Sequence, residues 1–145
     1  MSTFHQQSFS NRFRSMGDEA EGVFEQKYEG KFVRYGLNRP PISMQWMTAK
    51  IRYTPDYMLS RALVECMGVG NDRILKLKTE KAYALQQWHT DWNLQFFLWD
   101  SKLKESKMIE WPAIWDMLPD LPMNVFPEGK QYWEINVDTH IWPLP

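Results

Sequence analysis

Asp56 and Glu65 lie nine residues apart in the run RYTPDYMLSRALVECMG. If Ser60 and Arg61 make a two-residue turn, strands over 53–59 and 62–67 pair antiparallel, with Asp56 directly across from Glu65. Facing residues of such a pair have Cβ atoms about 4.5–5.5 Å apart, and like charges there repel unless something neutralises them. A divalent cation does so. Carboxylate oxygens suit hard ions such as Mg2+, which takes one or two carboxylates, keeps several waters and also binds a substrate phosphate. Phosphodiester hydrolysis is one chemistry that such a site supports. The plain alternative is a surface hairpin with two solvated acids. Against it, Ala62, Leu63 and Val64 make the second strand apolar on both faces, as in an interior strand. An acid embedded there is costly unless compensated, so Glu65 needs a partner.

The flanking elements must supply that partner. Residues 73–89 (RILKLKTEKAYALQQWH) follow Gly-Val-Gly-Asn-Asp, where Asn71 or Asp72 can cap a helix. On a period of 3.6, Ile74, Leu77, Ala84, Leu85 and Trp88 form one stripe, with Lys78 and Lys81 in or beside it and Lys76 on the other side. A lysine on the apolar side could reach the acids: Lys78 is the first choice, then Lys81, then Lys76. The bland reading of all three is an ammonium held in water above a buried stem. Earlier, Asp18, Glu19, Glu21 and Glu25 open a helix over about 17–28, where its dipole favours acids. Residues 31–37 alternate as a strand, Asn38-Arg39-Pro40-Pro41 breaks it, 42–50 is irregular, and 94–99 (LQFFLW) reads as a buried strand. The order is α-β-β-β-α-β.

These residues resemble the PD-(D/E)XK nuclease superfamily, and within it the phage endonuclease I type of Holliday-junction resolvase. The likeness rests on Tyr53-Thr54-Pro55-Asp56, Glu65 and Gly68, and spans roughly 15–100. It implies a restriction-endonuclease-like α/β fold with a mixed central sheet and a phage origin. It also implies Mg2+ or Mn2+ held by Asp56, Glu65 and the Cys66 backbone carbonyl. Glu21, three residues before Phe24, fits the family's first-helix acid, with Glu19 or Glu25 as alternatives. Where the family carries its lysine, this chain has Met67, and a thioether can neither orient a water nor steady charge on a phosphate; Lys78, from the following helix, is the expected replacement. Branched DNA would be the substrate, cut by a homodimer with two symmetric sites. Met67 also leaves open a nuclease-fold protein without catalysis that binds nucleic acid or a host protein.

Composition agrees with a folded domain. The chain has 145 residues, 43% hydrophobic, with eight Trp, eight Phe and six Tyr. One cysteine, Cys66, excludes an internal disulfide and a cysteine-based zinc site, which suits a reducing compartment. No run approaches a membrane span and the first residues lack the apolar stretch of a signal peptide, so a cytoplasmic location is expected. The net charge is −1, low for a nucleic-acid enzyme. Its distribution is uneven: 1–107 hold 16 Lys and Arg against 12 acids, whereas 108–145 hold 1 against 6. Arg34, Arg39, Arg52, Arg73, Lys76 and Lys81 are the first candidates for phosphate contact, with Lys50, Lys102, Lys104 and Lys107 behind them. The expected organisation is an arm over 1–14, a nuclease-like core over 15–107, and an acidic Trp-rich extension over 108–145. In that extension, 109–117 reads as a helix, 118–127 as a loop and 131–137 as a strand.

Overall fold

A computed structural model describes residues 16–36 and 48–145. Helix α1 (Met16–Lys27) has Asp18 and Glu19 in its first turn and Lys27 in its last, the polarity its dipole favours. Ala20 and Phe24, one turn apart, are fully buried. The chain then enters β1 (Val33–Arg34). Thr48 caps α2 (Ala49–Arg52), its hydroxyl accepting from the Ile51 N–H. Next come β2 (Tyr57–Met58), β3 (Leu63–Val69) and β4 (Ile74–Lys78), the last running straight into α3 (Thr79–Asp91). Strands β5 (Leu94–Asp100) and β6 (Glu105–Glu110) follow. The C-terminal part adds α4 (Trp111–Met117), a 3-10 turn (Leu118–Asp120), β7 (Met123–Val125), β8 (Gln131–Asn136) and α5 (Val137–His140).

Five strands form a mixed sheet in the order β1-β2-β3-β5-β6, with β3 and β5 parallel and the other pairs antiparallel. A separate antiparallel sheet has the order β4-β8-β7. One face of the larger sheet presents Val64, Cys66, Phe97 and Trp99 to Ala20 and Phe24 of α1. The other presents Leu63, Val69, Leu94, Phe96 and Leu98 to Leu75 and Leu77 of β4, Leu85 of α3, Trp111 and Ile114 of α4, and Ile135 of β8. Both central strands are therefore apolar on two faces because helices or the second sheet cover each. The fold is mixed α/β: α1, β1, β2, β3, α3 and β5 give the αβββαβ order, and β7, β8 and α5 form a C-terminal extension that docks on β4.

The hairpin has the expected register, since Tyr57 faces Val64 and Met58 faces Leu63. One further step puts Asp56 opposite Glu65. The single helix expected over 73–89 is instead a strand and a helix. In Ile74–Lys78, Leu75 and Leu77 are buried while Lys76 is exposed, an alternation of period two. Arg73, at φ +61°, also stands outside the helical region. The strands expected over 31–37 and 53–59 shrink to two residues each, and 49–52 are helical. Strand β7 lies within the expected loop over 118–127, and β6 takes its last two residues, Ile109 and Glu110, from the expected helix. Arg39 and residues 1–14 lie outside the described residues.

Candidate metal centre

A cleft of about 470 Å³ collects Glu21, Asp56, Glu65, Cys66, Met67, Asp72, Lys76 and Lys81 among its lining residues. Glu65 sits mid-strand in β3 and is 5% exposed. By strand alternation its side chain shares the face of Leu63 and Val69, which is the face that α3 covers. From α3, Lys81 brings its ammonium 2.6 Å from Glu65 Oε2, and both side chains are largely buried. This is the partner that an acid in an apolar strand requires.

Asp56 is fixed from two sides. Its carboxylate Oδ2 accepts the Cys66 N–H at 2.9 Å. Its backbone carbonyl accepts the N–H groups of Tyr35 at 2.9 Å and Gly36 at 3.1 Å. Gly36 permits this approach because a Cβ there would stand 2.6 Å from the Pro55 carbonyl oxygen and 2.7 Å from that of Thr54. A glycine just past β1 thus seats Asp56 immediately before β2.

The charges of the cleft are out of balance. Burial, then the neighbouring Glu65, push the Asp56 carboxyl up to about 7. Burial also raises Glu65, against the pull of Lys81. Glu21 is raised by burial and by Asp56, with Arg34 opposing. Burial alone would lower Lys81, but Glu65 and Asp56 outweigh it and hold its ammonium above the ordinary value. Burial pushes the Cys66 thiol far up, so it stays protonated and is no nucleophile. Three acids face inward and each holds its proton more tightly than a free carboxyl does.

Two hydrogen-bonded networks frame the cleft. On the α1 side, Arg34 reaches Glu21 Oε1 at 2.6 Å and the Tyr57 hydroxyl at 3.1 Å, while that hydroxyl donates to Glu25. On the α3 side, Glu80 accepts from Tyr53 at 2.8 Å, Arg52 at 3.2 Å and Lys130 at 2.6 Å. Burial and Glu80 push the Tyr53 hydroxyl up to about 12. Tyr57, Gly36 and Glu80 did not stand out in the sequence, and Tyr53 did so only as part of the resemblance. The signal for Tyr57 was its place beside Asp56 in the hairpin, where it must face α1.

Among the described residues, no three His, Cys, Asp or Glu side chains gather closely enough to hold a metal ion by themselves. The donor set suits an ion that needs only one or two carboxylates and completes its shell with water and substrate oxygens, as Mg2+ and Mn2+ do, and not one that needs a protein cage. Burial and, after it, the like charge of Glu65 raise Asp56, and both are costs that such an ion would relieve.

The remaining predicted residues divide. Lys76 lines the cleft. Lys78, expected on the helix, is the last residue of β4, and its ammonium lies 5.6 Å from the Phe126 ring. Lys81, not Lys78, meets Glu65. Arg73 is spent on Asp100 and Asp138, at 2.6 and 2.7 Å, and so ties β5 to α5. Asp138 is committed to that tie.

No protein-family model matches the chain, and no curated protein sequence matches it. Among solved structures, it is similar to a Holliday junction resolvase from the archaeal hyperthermophile Archaeoglobus fulgidus. The two share 11% identity over 86% of this chain and 91% of that one, with a TM-score of 0.49. Among the described residues, no helix is long and apolar enough to cross a membrane.

Proposed function

We propose that this chain is a metal-dependent DNA endonuclease of the PD-(D/E)XK type that hydrolyses phosphodiester bonds. The observation that carries the reading is the convergence of Asp56 and Glu65 on one cleft with Lys81 seated on Glu65. Asp56, Glu65 and the Cys66 backbone carbonyl would hold Mg2+ or Mn2+, with Glu21 assisting. When bound, the ion would supply Lewis-acid polarisation of the phosphoryl group and a lowered pKa for the attacking water. Lys81 takes the role that the sequence first gave to Lys78: its ammonium, raised by the acids beside it, would orient the attacking water and steady charge on the phosphate. Arg34 holds Glu21 at the rim, and the Cys66 N–H holds Asp56 in place. Branched DNA, a homodimer and a phage protein working in the host cytoplasm complete the reading by resemblance.

Met67, lining the cleft where the family has its lysine, favours a second reading: a nuclease-fold protein that binds DNA or a host protein without cutting it. One assay separates the two. Linear, single-stranded and four-way-junction DNA are incubated with Mn2+ and the wild type, Asp56→Ala or Lys81→Ala. Cutting by the wild type that both variants lose supports the endonuclease. Binding of Mn2+ without cleavage of any of these DNAs supports the second reading.

A further inference from the structure

We propose that the outer face of the three-stranded sheet is a phosphate track that guides a nucleic-acid strand to the acidic cleft. This rests on the nuclease reading above and assigns a surface that only the C-terminal extension creates. In β4, Leu75 and Leu77 turn inward, so Lys76 and Lys78 project together to the outside. Two residues apart on a strand, they stand about 6.6 Å from one another, the scale of successive phosphates along one nucleic-acid strand. Strand β8 sets Glu134 across from Lys76 and Tyr132 across from Lys78.

Aromatic rings from the extension hold the two lysines. The Lys76 ammonium lies 5.6 Å from the Tyr132 ring centroid and the Lys78 ammonium 5.6 Å from that of Phe126. The two rings pack on one another at 4.1 Å. At such distances a ring attracts a cation without neutralising it. Among the described residues, neither ammonium has a carboxylate within 4.0 Å, whereas Arg34, Arg52, Arg73 and Lys81 each do. Glu134 leaves the face with two cations against one anion.

Position completes the argument. Lys76 lines the same cleft as Glu21, Asp56 and Glu65, so a backbone crossing the acids continues onto this face. Tyr132 is only 6% exposed and therefore offers no platform for a base. The track reads phosphate and not sequence.

The test is the salt dependence of binding by the full chain, measured by fluorescence anisotropy with divalent ions chelated, on a linear duplex and a four-way junction. Losing two phosphate contacts makes the plot of log affinity against log salt shallower by roughly 1.8 for duplex DNA. Lys76→Gln with Lys78→Gln should show that change and bind both DNAs several-fold more weakly at low salt, while Lys31→Gln with Arg61→Gln, two exposed positions away from the cleft, should keep the wild-type slope. A wild-type slope in the first variant, or equal flattening by the second, overturns the track. If the wild type cuts DNA with Mn2+ while the first variant's slope is unchanged, the track falls and the endonuclease stands. A wild type that neither binds nor cuts removes both.

Discussion

Replacing Asp56 by asparagine should stabilise the protein while destroying the proposed activity. The carboxyl is pushed from 3.8 up to about 7 by burial and by Glu65. A group whose folded pKa is raised stabilises the fold below its unfolded pKa, and that contribution is lost as pH rises through the folded one. The window here is therefore pH 4 to 7, and above it the ionised aspartate is a cost. At about 1.4 kcal/mol per pKa unit, the ceiling is about 4 kcal/mol, and the partial solvent contact of Asp56 brings the expected gain to about 1–3 kcal/mol at pH 8. The amide oxygen of asparagine still accepts the Cys66 N–H, and its NH2 group replaces repulsion of Glu65 with a donor. Urea unfolding of both proteins between pH 4 and 8 reads the effect. The two curves should meet near pH 4 and separate steadily above it. Mg2+ should then stabilise the wild type, by about 2.7 kcal/mol at one hundred times its dissociation constant, and leave the variant unmoved. A variant less stable than the wild type at pH 8, or a gap that ignores pH, would refute the account of strained acids.

Three further perturbations follow from the same geometry. Lys81→Met leaves Glu65 buried without its cation and should cost about 3–5 kcal/mol in urea unfolding, with Glu65→Gln in the same chain restoring much of it. Gly36→Ala drives a Cβ into the carbonyls of Thr54 and Pro55 and should cost about 1–3 kcal/mol, and Mn2+ affinity should fall as Asp56 shifts. Arg73→Ala strands the fully buried Asp100, which despite burial is held down to about 2 by Arg73, the Leu103 N–H and the Trp142 indole. That variant should lose about 3–5 kcal/mol at neutral pH. In the wild type this contribution is present above the unfolded pKa of 3.8 and fades as pH falls toward 2, which acid titration of thermal unfolding will show.

How much of this could be read beforehand depended on range. The Asp56–Glu65 juxtaposition needed only a two-residue turn and strand alternation, both local, and it was legible. The apolar LQFFLW run marked β5 for the same reason. A helical period for ILKLK favours Lys78 over Lys81. That short run satisfies both periods, and only pairing with β8, more than fifty residues away, decides between them. Gly36 gave no signal, since its need for close approach arises from Thr54 and Pro55 across the sheet. Arg73 looked like a free basic residue because both acids that claim it lie far along the chain.

Strand β4 has a consequence for how the protein comes into being. It leaves the main sheet and, among the described residues, pairs with β8 alone, between 54 and 62 residues later, from Lys78 to Tyr132 and from Ile74 to Asn136. A loop of that length must close before the pairing forms, which slows the step. During synthesis, Leu75 and Leu77 can rest on the main sheet, but the edge of β4 stays unpaired until β8 has left the ribosome, and α3, which follows β4 directly, lodges Lys81 against Glu65 only provisionally until then. The acidic cleft is therefore assembled among the last parts of the molecule, so a nascent chain carries its carboxylates unarmed.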